Sequence, residues 1–213
     1  MRTVYRWRFL VYLVAFFLSS IVSEKTGGAI LSRIPDPVQT AALFLCALLI
    51  LLGVWIRMLS HAVLPTGRAW AMDMQPDNIT ATGPYRYMIH PMYAGNTLIF
   101  LSLLPFYSVA GGGAFILTTS LVTVALVRYE DRALQKRPLC HGIISYLFSR
   151  EAITSIVLNP VRSTIPEIPN LFVVFYVLFL PRADSIVSML DAMIACLFLT
   201  LSAVYLERKY GNL

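Results

Sequence analysis

The residues from Gly83 to Asn96 place polar and turn-forming side chains at the start of an apolar run. Pro91 suits the first position of a helix and disfavours the α conformation for the residue before it, so His90 is expected at or near the N-cap. Tyr93 and Asn96 follow three residues apart on one helix face. The N–H groups of a first helical turn, with the positive end of the helix dipole, favour an anion such as a carboxylate. The spacing therefore predicts an anion-binding helix start.

Side chains that precede His90 extend this predicted site. Arg86 supplies a permanent positive charge, and Tyr85 and Tyr87 supply aromatic surfaces for stacking. Such a set suits a ligand that is aromatic at one end and carries an anionic group. Each residue also has a plainer interpretation: His90 as a structural N-cap, Arg86 as a topology signal and the tyrosines as interfacial aromatics.

A second polar cluster, RYEDRALQKR at residues 128–137, follows the next apolar run. If the two apolar runs form a hairpin, Glu130 and Asp131 return to the end of the bundle at which His90 lies. Carboxylates near a helix C-terminus are unfavourable by about 0.3–1 kcal/mol each, so their presence there favours a functional role. Local neutralisation by Arg128 and Arg132 is the alternative.

The elements that would carry these residues are membrane helices. The 213-residue chain is 58% hydrophobic and only 13% charged, unlike a soluble domain. Residues 92–127 contain no charge and would be about 54 Å long as one helix, too long for one crossing. Pro105 and the triplet Gly111–Gly113 are expected to divide this run by a tight turn. The sequence predicts an all-α, polytopic membrane protein with five or six transmembrane helices, from Phe9–Val22, Val38–Ile56, Met92–Val109, Ala114–Val127, Asn170–Leu180 and Ile186–Leu206.

The positive charge is distributed as expected for a membrane protein with its N-terminus inside. Of the 17 lysines and arginines, 14 fall in the predicted cytoplasmic segments and three on the other side, which fits the positive-inside rule. The formal net charge of +6 therefore indicates anionic lipid headgroups and not nucleic acid as the partner. Two alternatives stay open: the N-terminus resembles a signal peptide, although no clean cleavage motif follows, and Asn170–Leu180 is short enough to be re-entrant.

Two long loops, Arg57–Pro91 and Arg128–Glu167, fall on the predicted cytoplasmic face and hold most of the polar residues. Loops of that length are often functional. His61 and His141, which lie in these loops, are interpreted as ordinary surface residues. The spacing of the three cysteines indicates neither a disulfide framework nor a metal site.

At these motifs the chain resembles the superfamily of isoprenylcysteine carboxyl methyltransferases and phospholipid N-methyltransferases, over roughly residues 40–165. The resemblance is carried by a first group of residues and by the acidic pair Glu130 and Asp131 that follows the next helix. The first group is Gly83, Pro84, Tyr85, Arg86, His90, Pro91 and Tyr93. The chain departs from the family pattern at Ile89, where the family has arginine, and at Asp131, where it has glutamate. Downstream, only Tyr146 is a possible counterpart of the family's paired tyrosines.

The resemblance implies an integral membrane enzyme that transfers a methyl group from S-adenosylmethionine to a lipid, lipidated or small hydrophobic acceptor, without a metal ion. It implies catalytic roles for Glu130 and Arg86. The residues implied in cofactor binding are Tyr85, Arg86, His90, Pro91, Tyr93, Asn96, Glu130 and Asp131. The site would lie on the cytoplasmic side, with residues 1–166 as the core and residues 167–213 as a C-terminal hydrophobic hairpin of the same membrane domain.

Two other function classes stay open from the sequence. Membrane reductases of the sterol-reductase type, which use a nicotinamide cofactor, resemble the superfamily around a similar His-Pro segment, but 213 residues leave little room for their longer helical body. A non-catalytic membrane transporter or assembly protein is the other class. A transporter is expected to carry polar residues or broken helices near the midplane, whereas here the polar residues gather at one end.

Overall fold

The computed structural model describes residues 8–64, 82–134 and 143–172, together with residues 202 and 205. All regular secondary structure in these ranges is helical, which agrees with the predicted all-α class. The α-helices in chain order are α1 (Arg8–Lys25), α2 (Asp36–Val63), α3 (Pro91–Ser102), α4 (Val109–Leu134), α5 (Ile143–Leu147), α6 (Arg150–Leu158) and α7 (Pro160–Thr164).

Among the described helices, α2 and α4 are long and apolar enough to cross a membrane. Both expose large apolar side chains along their length, among them Phe44 and Leu48 on α2 and Leu117 and Leu121 on α4. The prediction of five or six spans goes beyond these two helices and stays a prediction. Most of the fifth and sixth predicted runs lies outside the described residues.

The core forms where α3 crosses α2. Ile50 and Val54 of α2 pack with Ile99 of α3 in one buried apolar cluster. At the crossing, a Cβ atom on Gly95 would lie 2.7 Å from the carbonyl oxygen of Gly53, so the two backbones touch and neither position has room for a side chain. This close approach fixes the position of α3 along the axis of α2.

A second close contact joins α1 to α4. The α1 face that packs there is lined by the small side chains Ser19, Ser20 and Ser23, all buried. A Cβ atom on Gly111 would lie 2.7 Å from the carbonyl oxygen of Ser19, and the hydroxyl of Ser23 accepts a hydrogen bond of 2.5 Å from the Ser108 amide. Small residues therefore let the two helices approach each other closely.

The turn between α3 and α4 lies earlier in the chain than predicted. α3 ends at Ser102, and a 3-10 turn at Leu104–Phe106, which contains Pro105, begins the reversal. The prediction that Gly111–Gly113 form the turn is wrong, because these residues lie in the first turns of α4. At Gly111 the glycine serves the contact with α1 instead.

The polar segment that was expected to start at Arg57 is partly helical. α2 continues to Val63, so Arg57 and His61 lie on its last two turns. His61 is only 3% exposed, which makes its interpretation as a surface residue wrong. Its ring faces the carboxylate of Glu167, at 3.0 Å between Nε2 and Oε1.

Much of the second predicted loop is also helical, since α5, α6 and α7 occupy it. The indole Nε1 of Trp55 donates a hydrogen bond of 2.9 Å to the carbonyl oxygen of Leu147, which docks α5 on α2. Tyr146, Leu147 and Ala152 pack with Ile56 and Leu59 of α2 in a second apolar cluster. Residues 65–81 and 135–142, with the remainder of both loops and His141, lie outside the described residues.

Candidate active site

The chain enters α3 through a 3-10 turn, Gly83–Arg86, whose first residue has to be glycine. Gly83 has φ +57°, and a Cβ atom there would lie 2.8 Å from Val63 Cγ1 and 3.0 Å from the Tyr146 hydroxyl. Positive φ together with this crowding requires a residue without a side chain. The turn is thereby held between the end of α2 and α5.

His90 occupies the N-cap of α3, as predicted, and Pro91 is the first helical residue. His90 has φ −125° and ψ 60°, outside the α region, which is the expected effect of the following proline. Its carbonyl oxygen accepts from the Ala94 amide at 3.2 Å and so begins the helix. The side chain does not cap the helix, because both ring nitrogens face the acidic pair.

The acidic pair clamps the imidazole of His90 between its two carboxylates. Nδ1 of His90 lies 3.1 Å from Glu130 Oε2, and Nε2 lies 2.8 Å from Asp131 Oδ1. The histidine and Glu130 side chains are 13% and 16% exposed, whereas Asp131 is 45% exposed. The predicted return of the acidic pair to His90 is therefore present in the structure.

Tyr93 completes this cluster from the first turn of α3. Its hydroxyl donates a hydrogen bond of 2.7 Å to Glu130 Oε1. Both carboxylate oxygens of Glu130 thus have partners on α3, one from Tyr93 and one from His90. The end of α4 and the beginning of α3 are joined by these contacts into one site.

The two neighbouring carboxylates raise the pKa of His90. Burial alone would lower the pKa of His90, but the hydrogen bonds and negative charges of Glu130 and Asp131 outweigh burial and raise the pKa above 6.5. A protonated imidazole donates from both nitrogens, which matches two carboxylate partners. The site therefore favours the protonated form of His90, with one carboxylate beside each ring nitrogen.

The other predicted site residues lie around or away from this cluster. Pro91 is buried at the first position of α3, and Tyr85 is half-buried in the preceding turn. Arg86 is exposed, with its guanidinium carbon 5.9 Å from the centre of the Tyr87 ring. Asn96 faces α2 instead of α4, because its side-chain oxygen accepts a hydrogen bond from Nη1 of Arg57.

Sequence reasoning missed a second polar cluster, formed by Arg57, His61 and Glu167. Arg57 and His61 fall in the first predicted loop, and Glu167 is the last residue of the second. The sequence interpretation made His61 a surface residue and gave Arg57 and Glu167 no role in a site. One signal was available in the sequence: Arg57 and His61 are spaced by four residues and therefore share a helix face. Nothing local to Glu167 indicates that it returns to that face.

Residues 41–137 match the phospholipid methyltransferase family. The resemblance inferred from the motifs is confirmed over this segment, which is shorter than the 40–165 expected. No curated protein and no solved structure matches the chain. The matching segment holds all of α3 and α4 and nearly all of α2, and hence every residue of the His90 cluster.

Similarity to phospholipid methyltransferases indicates a membrane methyltransferase, and the two apolar helices α2 and α4 agree with a membrane location. The match does not favour the reductase alternative. Glu167 lies beyond the matching segment.

Proposed function

We propose that this protein transfers a methyl group from S-adenosylmethionine to a lipid, lipidated or small hydrophobic acceptor at the His90 cluster. The observation that carries the proposal is the convergence of the start of α3 and the end of α4, both within the methyltransferase-like segment, on His90, Tyr93, Glu130 and Asp131. The same contacts make these four residues the first candidates for cofactor binding.

The chemistry of the cluster fits such a cofactor. S-adenosylmethionine, when bound, supplies a methyl group on a positively charged sulfonium and carries an ammonium and a carboxylate. Asp131, which is 45% exposed, offers negative charge near a cationic group. The start of α3 offers N–H groups to an anion. The buried hydroxyl of Tyr146, beside Gly83, offers a further polar contact.

The predicted roles divide according to how accessible each group is. Glu130 has both oxygens engaged, so its role in this proposal is to hold His90 and Tyr93 in place and to lend negative charge. Arg86 is exposed and is assigned to an anionic part of the cofactor or the acceptor. Tyr85, Pro91 and Asn96 stay predicted cofactor residues. Direct methyl transfer requires mainly alignment, which can supply about 7–11 kcal/mol of the barrier.

Topology and partners belong to the same proposal. We propose that the site faces the cytoplasm in a multi-pass protein, because the predicted cytoplasmic segments hold most of the basic residues. The acceptor is expected to enter from the bilayer, because a hydrophobic molecule concentrates there.

The test is calorimetric binding of S-adenosylmethionine and S-adenosylhomocysteine to the detergent-purified full chain, beside a nicotinamide dinucleotide. We expect saturable binding of the first two ligands, weakened in His90→Ala and Asp131→Asn. Asp36→Asn is the matched control, since Asp36 is an exposed aspartate at the opposite end of α2. Binding of none of the ligands by folded protein would refute the proposal, and binding of the dinucleotide alone would favour the reductase.

A further inference from the structure

A buried polar network between α2 and α3 contacts α3 at Asn96, three residues beyond Tyr93 of the His90 cluster. Nε of Arg57 donates to both carboxylate oxygens of Glu167, at 2.9 Å each. Nη1 of the same guanidinium donates to the side-chain oxygen of Asn96 on α3. The amide of Asn170 donates to Glu167 Oε2 at 2.7 Å. One carboxylate thus orients an arginine that reaches from α2 to α3.

The network is charged although it is buried. The Glu167 side chain is fully buried and that of Arg57 is 11% exposed. Burial alone would raise the pKa of Glu167, but Arg57 and His61 lower it to about 2. An ion pair in such a place is weak support for stability, because desolvation offsets much of the attraction. The best-attested benefit of a buried ionic group is to fix one relative position of packed helices.

Arg57 contacts α3 at the point where the helix backbone touches α2. A Cβ atom on Gly95 would lie 2.6 Å from Arg57 Cγ and 3.2 Å from Cδ, so the arginine stem fills the space above that glycine. Asn96, the next residue, receives the guanidinium hydrogen bond. Stem and head group of Arg57 together fix both the height and the rotation of α3.

We propose that Glu167 is a positioning residue, which holds Arg57 against Gly95 and Asn96 so that α3 presents His90 and Tyr93 to Glu130. A slip of one residue along α3 would move its side chains by about 1.5 Å and rotate them by about 100°. The 2.7 Å hydrogen bond between Tyr93 and Glu130 does not survive such a change. The binding measurement used below rests on the proposed function, and the histidine titration does not.

The experiment compares two variants of the full chain in detergent. Glu167→Gln keeps the shape of the side chain and removes its charge. The double variant Arg57→Met with Glu167→Leu replaces the ion pair by apolar side chains, a change that often preserves stability. Glu151→Gln, at an exposed glutamate of α6, is the matched control. The readouts are the thermal midpoint, the affinity for S-adenosylmethionine and the ring-nitrogen NMR titration of His90.

We expect Glu167→Gln to weaken S-adenosylmethionine binding by roughly tenfold, equivalent to about 1.4 kcal/mol, because a shift of α3 displaces His90 and Tyr93. We expect the double variant to keep a thermal midpoint near that of the wild type and still to bind weakly. In both, the pKa of His90 should fall toward its ordinary value, because the imidazole leaves its carboxylates. Glu151→Gln should change none of these quantities.

The outcomes separate the two proposals. Wild-type affinity and an unchanged His90 titration in a stable double variant would overturn the positioning role and leave the ion pair with a structural role only. If the wild-type protein binds no S-adenosylmethionine, the proposed function fails and the titration alone decides the positioning role. A His90 pKa that is unchanged in both variants would then overturn it. If the double variant does not fold, Glu167→Gln decides by the same two readouts.

Discussion

Glu130 and Glu167 are two carboxylates that hold the start of α3 from two different neighbouring segments. Glu130 contacts His90 and Tyr93 from α4, and Glu167 reaches Asn96 through Arg57 from the side of α2. Each contact fixes a side chain within the first two turns of α3. The beginning of this helix is therefore held more firmly by polar contacts than its apolar remainder.

The histidine clamp predicts how stability depends on pH. Because the pKa of His90 is raised in the folded protein, its charge contributes stability that is complete below about pH 6.5 and is lost as pH rises through the higher folded-state pKa. We expect the thermal midpoint of the wild type to fall over that window more steeply than that of His90→Gln. Parallel midpoint curves for the two proteins would contradict the clamp.

The same clamp predicts the effect of removing one anion. In Glu130→Gln the imidazole of His90 keeps its contact with Asp131 but loses the more buried of its two carboxylates. The pKa of His90 should therefore fall. A ring-nitrogen NMR titration of His90 measures the change. Glu24→Gln, in the last turn of α1 at an exposed glutamate, is the control and should leave the titration unchanged. An unaltered pKa in Glu130→Gln would mean that Glu130 does not contact His90 in solution.

Tyr93→Phe isolates the remaining contact of Glu130. A hydrogen bond to a charged group contributes about 1.5–3 kcal/mol, and we expect the lower end of this range because Glu130 is partly exposed. In a chain of this length about 1.5 kcal/mol corresponds to a fall of roughly 3–6 °C in the thermal midpoint. S-adenosylmethionine binding should weaken in parallel.

Tyr87→Phe is the matched control for Tyr93→Phe. The ring of Tyr87 packs on Tyr146, at 5.2 Å between centres, and the variant keeps this contact. We expect its thermal midpoint and ligand affinity to stay close to those of the wild type. Equal effects of the two substitutions would show that the Tyr93 hydroxyl has no special role.

At the scale of elements, the sequence predicted helices better than the contacts between them. Pro91 and the uncharged run after it located the start of α3, because proline and apolar length act locally. The pairing of His90 with Glu130 followed from the hairpin, which brings the two helix ends together. The turn was misplaced because Gly111–Gly113 have two local uses, a turn or a close helix contact, and only α1 decides between them.

The buried network shows the same limit in the site itself. Nothing in the residues around Glu167 distinguishes it from a solvated glutamate, since its partners Arg57 and His61 lie more than a hundred residues earlier. Asn96 was expected to share a ligand with Tyr93, but three residues of helix direct the two side chains to different neighbours. Pairings set by tertiary packing of distant segments are not encoded in local spacing.

Two glycines of the triplet test the corrected position of the turn. At Gly111 an alanine Cβ would lie 2.7 Å from Ser19 O and 2.8 Å from Ser23 Cβ, whereas at Gly113 nothing lies within 4 Å. We expect Gly111→Ala to lower the free energy of unfolding by about 1–3 kcal/mol through overpacking. Gly113→Ala should raise it by up to about 1 kcal/mol, because alanine favours a helix interior. Thermal midpoints in one detergent measure both.

The opposite changes in stability would contradict the assignment of Gly111–Gly113 to α4. If these glycines formed a turn, Gly113→Ala would strain the backbone and destabilise the protein. A Gly111→Ala variant as stable as the wild type would contradict the close approach of α1 to α4.

At the scale of the whole molecule, the candidate site and the excess of basic residues belong to the same end of α2. Its C-terminal end lies beside the turn that leads to His90, and its N-terminal end follows the 3-10 turn Leu31–Arg33, in which Ser32 and Arg33 are exposed. A helix of 28 residues is about 42 Å long, enough to place the two ends on opposite sides of a bilayer. The excess of lysine and arginine on the side of the site predicts that this side faces the cytoplasm.

Single cysteines at the two ends test this orientation in cells. In a background with Cys46, Cys140 and Cys196 replaced by alanine, Thr82→Cys marks the exposed start of the turn before His90 and Ser32→Cys marks the opposite end of α2. A membrane-impermeant maleimide should label Ser32→Cys in intact cells, and Thr82→Cys only after the membrane is opened. Labelling of Thr82→Cys alone in intact cells would place the site outside and refute the charge argument. Labelling of both cysteines in intact cells would mean that α2 does not span the membrane. The proposed entry of a hydrophobic acceptor from the bilayer to His90 would then lose its support.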